Sequence, residues 1–274
     1  MTATAPASDI DALKSRLKAT WMDGNYDYFS RFMESSAVEF LDRLAISRGS
    51  SLLDVACGSG QLALIAARRG VRVTGVDIAT NSIVAARGRA AAEGLDARFD
   101  EGDAEALPYP DASFDAVATI FGAMFAPRPE LVASELLRVC RAGSTIAMAN
   151  WTREGFIGQM FKAIARFIAP PGMPSPLLWG DEQVVRERLE AGLSRLRLTR
   201  VNYRFDYPFG PADVVEFFRQ YYGPTTRAFA TLGDADRAAL GGELVELWAS
   251  NNQAKEQGRT VVDAEYLEVV GVRE

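Results

Sequence analysis

The chain has 274 residues, enough for one large α/β domain with an elaboration or for two small domains. Its composition, 48% hydrophobic and 24% charged, is that of a globular protein with a sizeable core, and its net charge of -6 argues against nucleic acid as the main partner. The chain contains no histidine, which excludes a Ser-His-Asp triad, a Cys-His pair and the common histidine-rich metal sites; its two cysteines, Cys57 and Cys140, form neither a disulfide framework nor a zinc spacing.

Met1 to Trp21 carries no charged-then-apolar leader, and no run of about 18 apolar residues occurs, so a soluble, cytoplasmic protein without membrane contact is expected. Thr2–Ser8 is small and polar and is expected to fray. Apolar spacing then predicts helices over Ile10–Trp21 and Tyr26–Leu44, separated by a break at Asp23–Asn25. Strands are predicted at Ser51–Ala56, Val71–Asp77, Ala97–Asp100, Phe114–Ile120 and Thr145–Asn150, with helices at Gly60–Arg69, Thr80–Glu93 and Glu130–Cys140 between them. Nearly continuous apolar strands that alternate with helices define an α/β fold with a parallel sheet covered on both faces.

After Trp151 the rhythm breaks. A Pro-rich loop, "PPGMPSPLLWG" (Pro170–Gly180), precedes a helix at Val184–Leu193, a long strand at Leu196–Tyr207, helices at Pro211–Tyr222 and Asp234–Asn252, and a last strand at Thr260–Val272. The segment carries little strand pattern for its length. It is expected to cap the sheet rather than to extend it much further. The division expected is N-terminal cap helices over 1–45, a cofactor core over 46–151 and the sheet end with inserted helices over 152–274, all in one structural domain.

The chemistry concentrates in "LLDVACGSGQLALIAARRG" (Leu52–Gly70), a strand, a turn with Gly58 and Gly60, and a helix. Gly58 to Ala63 satisfies G-x-G-x-x-G/A, and Asp77 ends the next strand, the arrangement of a nucleotide site with a ribose-binding acid. Three features weigh against a pyrophosphate. Asp54 precedes Gly58 by four residues and would repel it, while attracting an ammonium. No basic residue follows the turn before Arg68. A second acidic loop, Glu101–Val117, places Asp103 where it can accept from an adenine amino group.

Four stretches, "LLDVACGSG", "VTGVDIA", "EGDAEALPYPDASFDAV" and "ELLRVCRAGSTIAMANW", together resemble the successive motifs of class I S-adenosylmethionine-dependent methyltransferases. The closest branch is the small-molecule one that includes the ubiquinone and menaquinone biosynthesis enzymes (type 11). The likeness covers Ser51–Trp151 in order, and "WMDGNYDYF" (Trp21–Phe29) resembles the Tyr-Asp segment that precedes the sheet in that branch. The turn usually written Pro-Gly-Gly before the fifth strand is Ala142-Gly143-Ser144 here. The resemblance implies a Rossmann-like, seven-stranded, mostly parallel sheet with helices on both faces, plus a helical cap from the N-terminus and from insertions after the fifth strand.

It also implies S-adenosyl-L-methionine as cofactor. Its methionine part would lie against Ala56 and the Gly58–Gly60 turn, with its ammonium toward Asp54. Asp77 would take the ribose hydroxyls, Ile78 would flank the adenine, Asp103 and the Ala104 N–H would read its edge, and Phe121 would close the site. Trp151, at the end of the fifth strand, and Tyr221 and Tyr222 are the candidate lining of an acceptor pocket for a small molecule. No side chain is assigned as a catalytic base, and no metal is implied.

Plainer readings stand beside these. Asp77 as a helix cap, Asp103 as a turn acid, and Trp21 and Tyr26 as core anchors are the alternatives. Cys57 reads as a packing residue, Asp111 and Asp115 as surface and turn acids, and Met124 as core. Phe156, Phe161, Phe167, Phe217 and Phe218 recur at helical spacing and either bury a helix face or line a pocket. The second-half helices read equally as a homodimer surface. Two competing functions remain at this stage. One is a nicotinamide-dependent oxidoreductase, for which no Tyr-Lys pair is visible. The other is an S-adenosylmethionine-binding protein without turnover.

Overall fold

The computed structural model describes residues 7–274; the expected frayed segment lies outside the described residues except for Ala7 and Ser8, which open the first helix. The N-terminal part comprises α1 (Ala7–Met22), α2 (Tyr26–Ser30), a tight 3-10 turn (Arg31–Met33) and α3 (Glu34–Leu44). Asn25 starts α2 by accepting the Tyr28 N–H on its side chain, one of the orphan donors of a helix start. The single helix expected over Tyr26–Leu44 is therefore two, interrupted where no glycine or proline signals a break.

The alternating core follows with β1 (Ser51–Val55), α4 (Gln61–Arg68), β2 (Arg72–Asp77), α5 (Thr80–Glu93), β3 (Ala97–Glu101), β4 (Phe114–Ile120), α6 (Pro129–Val139) and β5 (Cys140–Trp151). Residues 141–144, the Ala-Gly-Ser turn, form an irregularity in β5: Phe114 pairs with Cys140, and the next pair is Ala116 with Thr145. The remainder is α7 (Phe156–Ile164), α8 (Glu182–Leu189), β6 (Leu193–Tyr207), α9 (Pro211–Tyr221), α10 (Gly223–Thr231), α11 (Asp234–Ser250) and β7 (Thr260–Arg273). The helix α10 escapes sequence reading because Gly223-Pro224 looks like a terminator; here the proline sits in the first turn, where its missing N–H costs nothing.

The seven strands lie in the order β3-β2-β1-β4-β5-β7-β6, parallel except for β7, which is antiparallel to both neighbours. Leu52, Leu53 and Val55 of the central β1 are fully buried, and each such side chain contributes about 1.5–3 kcal/mol relative to exposure. The expectation that the second half adds little to the sheet is corrected, since β6 and β7, at 15 and 14 residues, are its longest strands. Their inward faces carry Tyr203, Phe205 and Tyr207, which Phe217, Phe218 and Trp248 of α9 and α11 cover.

This topology positions the site. A strand that runs parallel to β1 delivers its following segment at the carboxyl edge of the sheet, and α9 to α11 follow β6 there. They meet α1 and α2 above that edge: the Asn25 N–H donates to the Tyr221 carbonyl, and Gly24 pairs with Tyr222. Among the described residues, no helix is long and apolar enough to cross a membrane.

Candidate cofactor site

The chain leaves β1 through a run of left-handed residues, Ala56 (φ 55°), Gly58 (φ 53°) and Gly60 (φ 84°). The two glycines serve different neighbours. A Cβ on Gly58 would stand 2.7 Å from the Tyr26 ring, whereas one on Gly60 would press on Phe99 at 3.1 Å and on Ala86 at 3.4 Å, beneath the turn. Gly60 caps α4 and packs inward; Gly58 keeps room for Tyr26 and the cleft. Ala56 holds the same unfavourable region with a side chain, a strain that persists only where the surroundings over-determine it. The Ser30 and Ser59 hydroxyls, 2.9 Å apart, tie α2 to the turn.

Two carboxyls flank this turn. Asp77 spans it: one oxygen accepts the Gly58 N–H at 2.8 Å and the other the Ala79 N–H at 2.7 Å. Burial raises its pKa against the opposing pull of these amides. Asp54 is 2% exposed and accepts the Ala63 N–H at 3.1 Å. Burial pushes it up to about 8, the Ala63 amide opposing and the Asp77 charge adding to the rise. Among the described residues, no ion pair reaches either carboxyl. Cys57 is buried beside them, and burial lifts its thiol well above the ordinary range, so it packs as the sequence indicates.

A cleft runs along this edge. Ala56, Gly58, Asp77, Ile78, Asp103, Ala104 and Phe121 all line it, so seven of the expected cofactor residues converge on one space. Asp54 and Gly60 lie behind that wall. Asp103 turns its loop by accepting the Glu105 N–H at 2.9 Å, and its other oxygen holds the Lys14 ammonium of α1. Lys14 also pairs with Glu105, a buried acid that Arg128 grips at 2.7 Å. Neither Lys14 nor its helix was visible as part of the site from spacing alone, because 89 positions separate it from Asp103.

Phe121 ends β4 in a left-handed conformation (φ 53°), and Gly122 after it is so close to Ala56 that a Cβ would stand 2.5 Å from the Ala56 carbonyl oxygen. Trp151 stands one layer back. It is 4% exposed and stacks on Phe121 within Tyr203, Phe205 and Tyr266. The expected lining by Trp151, Tyr221 and Tyr222 is corrected on the same grounds: none of the three lines the cleft. Tyr222 packs behind Trp21 and on Phe29, and Tyr221 against Tyr28 and Phe217. The strand end does face the right way, but a tryptophan there supports the floor.

The aromatic roof comes instead from the N-terminus. Leu17, Trp21 and Tyr26 line the cleft opposite Phe125, Ala126 and Pro127, so the plainer reading of Trp21 and Tyr26 as mere core anchors does not hold. Trp21 sits edge-on to Phe125 at 5.0 Å and to Tyr26 at 6.2 Å. Burial, then the charges of Asp77 and Asp54, raise the Tyr26 hydroxyl above its ordinary range. Phe156, Phe217, Phe218 and Met124 are buried core, and Asp115 and Asp111 are ion-paired at the opposite side of the strands, with Arg141 and Arg138.

A glycine turn after the first strand, an acid ending the second, a third acidic loop and a seven-stranded sheet with its seventh strand antiparallel define the class I methyltransferase fold. Residues 53–148 match the methyltransferase-domain family of type 11. The chain is 32% identical over 201 residues to the methyltransferase GfsG of Streptomyces halstedii, covering 72% of each chain. It is 35% identical over 252 residues to the uncharacterized protein Rv1403c of Mycobacterium tuberculosis, covering 90% of this chain and 92% of that one. Among solved structures, YcgJ from Bacillus subtilis superposes with a TM-score of 0.61 at 15% identity, over 88% of this chain and 98% of that one, a likeness of fold. The chain belongs to the class I S-adenosylmethionine-dependent methyltransferases, type 11. The oxidoreductase alternative falls with that assignment.

Proposed function

We propose that the protein moves the methyl group of S-adenosyl-L-methionine to a small-molecule acceptor, with the N-terminal helices and the helices inserted after β5 and β6 acting as the cap that sets acceptor choice. The observation that carries this reading is the pair of buried carboxyls, Asp54 and Asp77, at one glycine turn without a cationic partner among the described residues. Their field favours a cationic ligand and opposes a pyrophosphate. The residues fit the cofactor. Asp77 keeps a free lone pair on each oxygen after serving the Gly58 and Ala79 amides, and these receive the ribose hydroxyls. Ala56 and Gly58 leave the backbone open to the methionine part, with Asp54 supplying charge from behind. Ile78 flanks the adenine, and Asp103 with the Ala104 N–H reads its edge.

When bound, S-adenosylmethionine supplies an electrophilic methyl on a sulfonium leaving group. The chain's own contribution is alignment and exclusion of water. Phe121, fixed by Trp151, and the Trp21–Tyr26 roof hold the two reactants in a closed apolar space. No histidine is needed for this chemistry. Calorimetric titration with S-adenosylhomocysteine and with NAD tests the reading: micromolar binding of the first and none of the second is expected. The reverse result rejects it. Release of S-adenosylhomocysteine on addition of small acceptors then separates turnover from binding alone.

A further inference from the structure

The cleft is electrically divided. Its charged lining residues are Lys14, Asp77 and Asp103, and Lys14 and Asp103 neutralise each other. The opposite end is walled by Leu17, Trp21, Tyr26, Phe125, Ala126 and Pro127, without a charged side chain. On α1, Trp21 lies seven residues beyond Lys14, roughly 10 Å along the helix axis, so the two ends are separate places. Behind the apolar end stand further rings, Tyr222 at 5.8 Å from Trp21 and Phe161 at 6.1 Å from Phe125, and not counter-ions.

From this division we infer that the acceptor is an uncharged molecule that presents a flat apolar ring bearing a hydroxyl, of the phenol or enol class, and that Trp21 and Phe125 select it. The inference rests on the cofactor reading above, which puts the reacting methyl between the glycine turn and the aromatic end. Three acceptor types then compete. A permanent anion, such as a carboxylate or phosphate, would be buried without a cationic partner and within the field of Asp77 and Asp54. An ammonium finds ring faces, but it would approach a sulfonium of the same sign in a poorly screened space. An uncharged ring escapes both costs and gains from edge and face contact with Trp21 and Phe125. No ionised base lines this end, and Tyr26 is held protonated by its surroundings. A phenolic or enolic hydroxyl provides its own nucleophile: as the oxygen–methyl bond forms the sulfur–methyl bond breaks, the sulfur keeps that electron pair, and the acceptor's proton leaves to water.

The test uses the full chain saturated with sinefungin, the analogue that carries an ammonium where the sulfonium stands. Into it are titrated 2-naphthol, 2-naphthoate and 2-(aminomethyl)naphthalene, three probes on one ring. The naphthol is expected to bind about tenfold or more tightly than either charged probe. Trp21→Ala is expected to weaken the naphthol about fivefold or more while sinefungin affinity stays within about twofold; Phe125→Leu, on the opposite wall, is the second variant. Equal or tighter binding by a charged probe, no binding by the naphthol, or indifference of both variants overturns the acceptor class and leaves the cofactor reading standing. Failure of sinefungin itself to bind overturns the cofactor reading, and this inference with it.

Discussion

Phe121 and Trp151 lie flat on one another, their ring centroids 3.6 Å apart and their planes 5° from parallel. One partner lines the cleft in a backbone conformation that L-residues avoid; the other is buried in the sheet. The stack is thus how the core pins a strained wall. Trp151→Ala is expected to cost about 3–5 kcal/mol of stability in urea unfolding, the range for truncating a buried aromatic side chain. A loss under about 1 kcal/mol would mean that the ring is not carrying the wall.

Asp77→Ala should leave the fold intact and weaken S-adenosylhomocysteine about tenfold or more, since charge-assisted hydrogen bonds are worth roughly 1.5–3 kcal/mol each. Part of that loss comes through Gly58, whose amide loses its acceptor. Calorimetry on the folded variant checks it, and an unchanged dissociation constant rejects the ribose role.

The two glycines of the turn should respond differently. Gly60→Val drives branched carbons into Phe99 and Ala86, so its expected effect is a large fall in melting temperature. Gly58→Ala meets the movable ring of Tyr26 and is expected to fold but to bind S-adenosylhomocysteine poorly. Thermal melts and titrations of both variants distinguish the cases; tight binding by a folded Gly58→Ala variant would free that position from any ligand role.

Asp54 gives stability a pH dependence of definite sign. Its folded pKa is pushed up to about 8, against about 3.9 in an unfolded chain, so the folded state holds the proton more tightly. Its stabilising contribution is complete below the unfolded value and is lost as pH rises toward the folded one. Asp54→Asn keeps an oxygen for the Ala63 amide and removes the titration. Urea midpoints at pH 5 and pH 8 should show a smaller decline for the variant than for the parent; equal declines count against this assignment.

The grip of Lys14 on Asp103 and Glu105, seconded by Lys18 on Glu101, fastens α1 across the adenine end. Lys14→Met releases Asp103 while Glu105 keeps Arg128. Stopped-flow release of S-adenosylhomocysteine is expected to quicken about two- to fivefold, in keeping with the modest worth of such pairs. An unchanged rate would make the lysine ornamental to exchange.

The cofactor half of the site was legible because its demands are local. A strand, a turn with Gly58 and Gly60, and an acid ending the next strand are fixed by spacing, and Asp77, Ile78, Asp103, Ala104 and Phe121 all reach the cleft. The acceptor half was not. Spacing places Trp151 at a strand end but not in a layer, and that layer is set by Tyr203 and Tyr266 on strands far along the chain. Likewise, the apolar stripe of α1 reads the same whether it faces core or cleft; only its docking on β3's acidic loop, through Lys14 and Lys18, decides for Leu17 and Trp21. The long reach of β6 and β7 was underestimated because their exposed arginines dilute the apolar signal.

The seam between α1 and the α9–α10 junction is backbone against backbone. A Cβ on Gly24 would stand 2.7 Å from the Tyr221 carbonyl oxygen, and one on Gly223 would stand 2.0 Å from that of Thr20. With no side chains between them to slide or repack, the two helices have no soft joint of their own. Breathing of the cleft must therefore lift both as one plate, which couples ligand exchange at the adenine end to motion more than 200 positions further along the chain. A substitution in α10 that touches no ligand then becomes a way to change residence time.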